Sequence, residues 1–160
     1  MLSLHTIFFG PPNDIAQQQG VPKTTELFAG FSRDGFASMH AGACEGTLLT
    51  RPVIFSGQYL FVNIDAPDGG LAIELCSEQG VPRPGFAKSD CLPITADSTK
   101  TPVQWRSGNS LERFIGKPVR FRFYLTNGDL YAFWVSRSQN GESGGYVAAG
   151  GPEFENNRDA

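Results

Sequence analysis

The sequence predicts an all-β fold: an antiparallel β-sandwich of jelly-roll-like kind, with at most one short helical turn. Two observations support this. Roughly seven or eight short runs of strand-forming residues are separated by Gly- and Pro-rich turns, and no long stretch shows a helical period. The composition agrees, since 19 Gly, 11 Pro and 13 Phe describe many turns around an aromatic interior.

The elements follow in order. LHTIFFG (4–10) and TTELFAGF (24–31) are short apolar runs on either side of a Pro-, Gln-, Asn- and Gly-rich loop. SRDG (32–35) is a turn and GFASMHA (35–41) a strand. GTLLTRPVIF (46–55) alternates in part, and Pro52 places it at a sheet edge or a bulge, because proline has no N–H to give a ladder. QYLFVNID (58–65) is a strand apolar on both sides. APDGG (66–70) turns into LAIELCS (71–77), whose Leu71, Ile73 and Leu75 share one face. EQGVPRPGF (78–86) is a loop and TPVQWRS (101–107) a strand. In NSLERFIG (109–116), Asn109 or Ser110 caps a single helical turn that Gly116 stops ahead of Pro118.

VRFRFYLTNGDLYAFWVS (119–136) reads as a β-hairpin about a two-residue Asn127-Gly128 turn of type I′. That register sets Leu125 against Leu130, Tyr124 against Tyr131, Arg122 against Phe133 and Phe121 against Trp134. Alternation then separates two faces. Val119, Phe121, Phe123, Leu125, Leu130, Ala132 and Trp134 form a core face. Arg120, Arg122, Tyr124, Asp129, Tyr131 and Phe133 form a second face of rings, guanidinium groups and a carboxylate.

The sandwich is assigned to residues 34–138, after a lead segment 1–33 and before a Gly-rich, loose tail 139–160. Apolar residues at 40% and charged residues at 18% mark a globular chain of 160 residues. The net charge of −3 comes with no block of like charges, which argues against nucleic acid as a partner. The apolar runs fall far short of the roughly 20 residues of a bilayer span. The start lacks a basic region and a cleavage site, so it is a poor signal peptide; a cytoplasmic chain and a fragment of a secreted protein both stay open.

Cys44, Cys76 and Cys91 are odd in number and lack CxxC spacing, which argues against a disulfide framework or a zinc site. They read as buried thiols, with one disulfide and a spare thiol as the alternative. His5 and His40 read as structural or surface residues. GESGG (141–145) matches G-x-S-x-G, yet a nucleophile elbow needs a strand before Ser143 and a helix after it. No catalytic residue is assigned, and no metal or cofactor is expected. NIDAPD (63–68) and SDCLPITADST (89–99) hold oxygen ligands for a structural Ca²⁺, but without EF-hand spacing, and turn capping accounts for them.

The second hairpin face is the candidate binding surface, with Asp97, Gln104, Trp105 and Arg106 beside it. Sugars stack their C–H faces on aromatic rings and need polar partners for their hydroxyls. The same residue types also dominate protein interfaces. A glycan platform and a covered docking surface are therefore both open.

Residues 34–136 resemble a known module. The pieces that carry the likeness are SRDGFASM (32–39), LTRP (49–52), PGF with DC-P-I (84–94), DST (97–99) and GKPVRFRFYLTNGDLYAFW (116–134). The chain is similar to the β-sandwich that follows a five-bladed β-propeller in bacterial glycoside-hydrolase-like proteins of the invertase, arabinanase and sialidase-like kind. The resemblance implies a non-catalytic accessory module in a carbohydrate-active setting. It reads the 1–33 segment as a remnant of the last propeller strands; with most of a propeller missing here, the chain is either a C-terminal fragment or a free-standing version whose N-terminal strands were recruited into the sandwich. The partners it implies are an oligo- or polysaccharide, a β-propeller catalytic domain, or a second copy of the chain. The alternative is a structural or interaction module whose aromatic face docks on protein; a small stand-alone hydrolase is the remaining reading.

Overall fold

The computed structural model describes residues 7–9 and 38–143. The apolar run at 24–31, the turn at 32–35 and the tail beyond residue 143 lie outside the described residues. The strands are β1 (Ile7–Phe9), β2 (Met39–Ala41), β3 (Gly46–Leu49), β4 (Tyr59–Asp65), β5 (Gly70–Ser77), β6 (Asp97–Pro102), β7 (Val119–Thr126) and β8 (Gly128–Ser136).

They form a larger sheet of order β1-β2-β8-β4-β6 and a smaller sheet of order β3-β7-β5. Pairing is antiparallel throughout, except that β1 joins the larger sheet parallel to β2. From β2 onward each strand lies in the sheet opposite its predecessor. Every connection therefore crosses the sandwich, which is the connectivity of a jelly roll. The all-β sandwich expected from the sequence is the fold observed.

Between the sheets lies one core. Leu60, Val62 and Ile64 of β4 face Leu71, Ile73 and Leu75 of β5 and Phe121, Phe123 and Leu125 of β7, each at most 1% exposed. Burying such side chains stabilises by about 1.5–3 kcal/mol apiece before entropy is counted. Phe86, Trp105, Leu111 and Phe114 extend the same cluster.

Although β5 ends the smaller sheet, its outer backbone edge is not bare. Residues 82–94 run beside it, with isolated bridges at Cys76–Pro82 and Leu71–Ile94. Between those bridges two side chains replace backbone partners. Ile73 N–H donates to Cys91 Sγ at 3.3 Å, and Trp105 Nε1–H donates to the Ile73 carbonyl at 2.9 Å. Pro52 behaves as its chemistry requires: β3 is an edge strand, and the chain bulges past residues 50–52 before Val53 rejoins β7 at Val119.

The 119–136 segment is not a hairpin. β7 pairs with β3 and β5 in one sheet, while β8 pairs with β2 and β4 in the other. A type I′ turn needs positive φ at both central residues. Asn127 has φ 43, but Gly128 is not in the left-handed region. Gly128 is there for space: a Cβ would sit 2.5 Å from the Ala66 Cβ. Asn-Gly thus marks a crossover packed against the β4–β5 turn.

The expected core face of β8 is also revised. Asn63 pairs with Ala132 and Ile64 with Leu130, so Tyr131 is an extra residue in β8. This bulge resets the alternation of the strand. Leu130 faces the core, and beyond the bulge Phe133 and Val135 pack against it. Trp134 turns outward and stacks on Phe61 with centroids 5.7 Å apart.

Two smaller corrections concern polar segments. β6 begins at Asp97 and ends at Pro102, earlier than the expected 101–107, because its alternate residues meet solvent and leave no apolar period to read. There are two single-turn 3₁₀ segments among the described residues, where at most one helical turn was expected. Glu112–Phe114 is the anticipated one, and Gly116 at φ +71 ends it. Lys88–Asp90 is the second, and the Asp90 carboxylate accepts a hydrogen bond from Ala87 N–H at 3.1 Å.

Candidate functional site

The residues expected to share one face occupy three places. Arg120, Arg122 and Tyr124 do share the outer face of the smaller sheet, as alternation along β7 requires. Asp129 and Tyr131 belong to the larger sheet. Phe133 lies in the sandwich interior, 5.0 Å from the Phe123 ring and 5.8 Å from Phe121. Trp105 is also a core residue, 2% exposed and tied to Ile73. Asp97, Gln104 and Arg106 are exposed, and Gln104 lines a shallow cavity of about 290 Å³ with Leu92, Thr101 and Pro102.

The outer face of the smaller sheet is built around Glu74, a carboxylate that no sequence motif singles out. It is 5% exposed. β5 sets Glu74 directly opposite Arg122 on β7, and Arg122 donates to it at 2.6 Å. Lys88 N–H and the Cys76 thiol donate at 3.3 Å, and the Tyr124 hydroxyl approaches at 3.5 Å. Lys88 lies 4.3 Å over the Tyr124 ring and pairs with Glu45 at 2.7 Å. Arg120 donates to the Thr50 carbonyl at 2.6 Å. The polar groups of this face thus satisfy one another. Its only sequence signal was the alternation of LAIELCS, which places Glu74 beside Cys76 on the face away from Leu75.

Burial pushes the Cys76 thiol up to about 11, and its hydrogen bond to Glu74 and that group's charge add to the effect. Burial likewise raises Cys91. Neither sulfur is a thiolate nucleophile at neutral pH. Cys44 is exposed, and all three thiols are free.

The outer face of the larger sheet carries a row in cross-strand register. His40 pairs with Asp129, Asp129 with Asp65, and Asp65 with Asp97, on four neighbouring strands. The row joins the two loop regions considered for Ca²⁺, through Asp65 and Asp97. Among the described residues, however, no group of three or more His, Cys, Asp or Glu is placed to hold a metal ion. Ser38 donates to Asp129 at 2.7 Å, and His40 Nδ1 lies 3.2 Å from the same carboxylate. A serine bonded to the carboxylate instead of the imidazole is not a nucleophile–base pair. Tyr131 stands beside the row; burial raises its pKa first, then the charges of Asp129, Asp65 and Asp97.

Farther along this face the chain folds back on itself. Trp134 Nε1–H donates to the Gly141 carbonyl at 3.0 Å. A Cβ on Gly141 would lie 2.8 Å from Phe61 and 2.9 Å from Lys100. The first residues beyond β8 therefore pack over the Phe61–Trp134 stack. Ser143 lies beyond β8 in irregular chain, and the segment after it, where a nucleophile elbow would need its helix, lies outside the described residues.

Fold and surfaces together define an all-β sandwich domain with polar outer faces and no nucleophile–base pair in the groups described above. No family model matches the chain, and no curated protein or solved structure matches it. No helix among the described residues is long and apolar enough to cross a membrane.

Proposed function

We propose that this chain is a non-catalytic β-sandwich module that serves a carbohydrate-active protein as a structural and interaction domain. One observation supports the interaction reading over an aromatic sugar platform: the rings are occupied. Phe133 and Trp105 are in the core, Tyr124 lies beneath Lys88, and Trp134 stacks on Phe61 under Gly141. A stacking platform needs coplanar rings free to meet a ligand. The carbohydrate setting rests on the resemblance of residues 34–136 to propeller-associated sandwiches.

Calorimetry against neutral oligo- and polysaccharides, with turnover assays on aryl glycosides and esters, tests the first part. No binding and no turnover are expected. Micromolar binding of a neutral glycan that Tyr131→Ala abolishes would establish a platform and overturn the interaction reading. The carbohydrate setting is tested by sequencing the transcript and the neighbouring genes. A five-bladed propeller encoded there is expected, and its absence would remove that part of the proposal.

A further inference from the structure

Among the described residues, two lysine or arginine side chains have a carboxylate partner. Arg122 pairs with Glu74 and Lys88 with Glu45. Arg83, Arg113 and Lys117 do not, and they are the three that converge. With Pro84 and Phe114 they line one surface cavity of about 270 Å³, where the 78–86 loop meets the Glu112–Phe114 3₁₀ turn. None of the three has a carboxylate within salt-bridge distance among the described residues. The acidic residue of the same turn, Glu112, is exposed and does not line the cavity. Three unpaired positive charges in one concavity are unusual in a chain whose net charge is −3.

The cations are held by a frame. Arg83 N–H donates to the Leu75 carbonyl at 2.8 Å, and Phe86 N–H donates to the Arg83 carbonyl at 2.9 Å, so the loop is fixed to β5. Arg113 lies 4.7 Å from the Phe86 ring centre and 4.8 Å from Phe114, and it donates to the Pro84 carbonyl at 2.9 Å. Lys117 Nζ rests on the Arg113 carbonyl at 2.8 Å. Arg83 is half-buried, and its Nε is covered without any hydrogen-bond acceptor. A covered donor on a charged group is costly to leave unmet, and such an orphan calls for an acceptor.

We propose that this cavity binds an oxyanion: the sulfate, phosphate or carboxylate end group of a larger ligand, gripped by Arg83, Arg113 and Lys117. Guanidinium groups match such anions in geometry as well as charge. The cavity is smaller than the roughly 300–1,000 Å³ of whole-ligand pockets, so it takes an end group and leaves the rest outside. Pro84 and Phe114 offer that remainder apolar contact.

The test is calorimetry on the full chain at low ionic strength, with sodium sulfate, inorganic phosphate and glucuronate as separate probes. At least one probe is expected to bind, with affinity falling as salt is added. Sulfate or phosphate binding alone assigns a tetrahedral anion, and tighter glucuronate binding assigns an acidic sugar. Arg83→Gln and Lys117→Gln are each expected to weaken binding about tenfold or more, as loss of one charged hydrogen bond implies. Two variants are used so that one failing to fold leaves the other to decide. Absence of binding by all three probes, or binding that a folded variant leaves unchanged, overturns the proposal.

Discussion

Replacing Arg122 by methionine isolates the charge in the Glu74 network while retaining much of the side-chain volume. Glu74 is left 5% exposed with no cation against it. The contacts that remain to it, at 3.3 to 3.5 Å from Lys88 N–H, the Cys76 thiol and the Tyr124 hydroxyl, are long for charge-assisted bonds. Opposite charges 4 Å apart attract by about 4 kcal/mol at an effective dielectric of 20, and breaking a buried pair on one side costs about 3–5 kcal/mol. The Arg122 side chain keeps 24% of its exposure and Glu74 only 7%, which puts the loss at the lower end. A destabilisation of about 3 kcal/mol follows, or roughly 6–12 °C in melting temperature for a chain of this length. Urea denaturation at pH 7 measures it. The Glu74→Leu/Arg122→Met double variant is expected within about 1 kcal/mol of the parent, because apolar replacement removes both desolvation penalties. If Arg122→Met alone costs less than about 1 kcal/mol, the pair behaves as a surface pair and the reasoning fails.

Trp105→Phe leaves the Ile73 carbonyl without its side-chain donor and should cost about 1–3 kcal/mol by urea denaturation; an unchanged midpoint would show that water replaces the indole. Stability should hold below pH 9 and fall toward pH 11, because the folded Cys76 thiol retains its proton above the pH at which the unfolded one loses it. Cys76→Ala should flatten that decline, and an identical decline in the variant would refute the assignment. Thiol labelling should modify Cys44 in the native chain and reach Cys76 and Cys91 only after denaturation. Gly141→Ala combines a φ of +78 with a clash on Phe61 and Lys100, so it should release Gly141 from Trp134 and red-shift the fluorescence of a Trp105→Phe background. A spectrum that does not move would mean that Gly141 does not cover Trp134.

The fold was legible because the alternation of β5 and β7 and the apolar character of β4 are local consequences of burial. Leu71, Ile73 and Leu75 face the core as read, and so do Phe121, Phe123 and Leu125. The errors arise where long-range packing overrules a local rule. Asn127-Gly128 has the chemistry of a hairpin turn, but the approach of Ala66 that requires Gly128 comes from a part of the chain about sixty residues away. Nothing in β8 announces the extra residue at Tyr131, whose bulge exists only relative to β4. The Glu74 network depends on the β5–β7 register, and the Arg83–Arg113–Lys117 cavity on a loop docking against a 3₁₀ turn. Each is a meeting of segments that single-sequence patterns do not describe.

The aromatic residues on both faces of residues 119–136 now have separate physical causes. In β7 the inward rings fill the sandwich, and the outward Tyr124 belongs to the ion network over Glu74. In β8 the inward Phe133 packs on Phe121 and Phe123, whereas the outward Trp134 covers Phe61 on the central strand β4. A strand flanked on both sides can be apolar on its outer face only if something lies over it, and Gly141 is seated there. Two strands from different sheets, each covered in its own way, thus look like one two-faced ribbon when written in a line. That removes the need for a ligand to explain the second set of rings. It also separates the argument for binding from aromatic content altogether: the group whose bonding is unmet is the covered Arg83 Nε, in a cavity that it shares with Arg113 and Lys117.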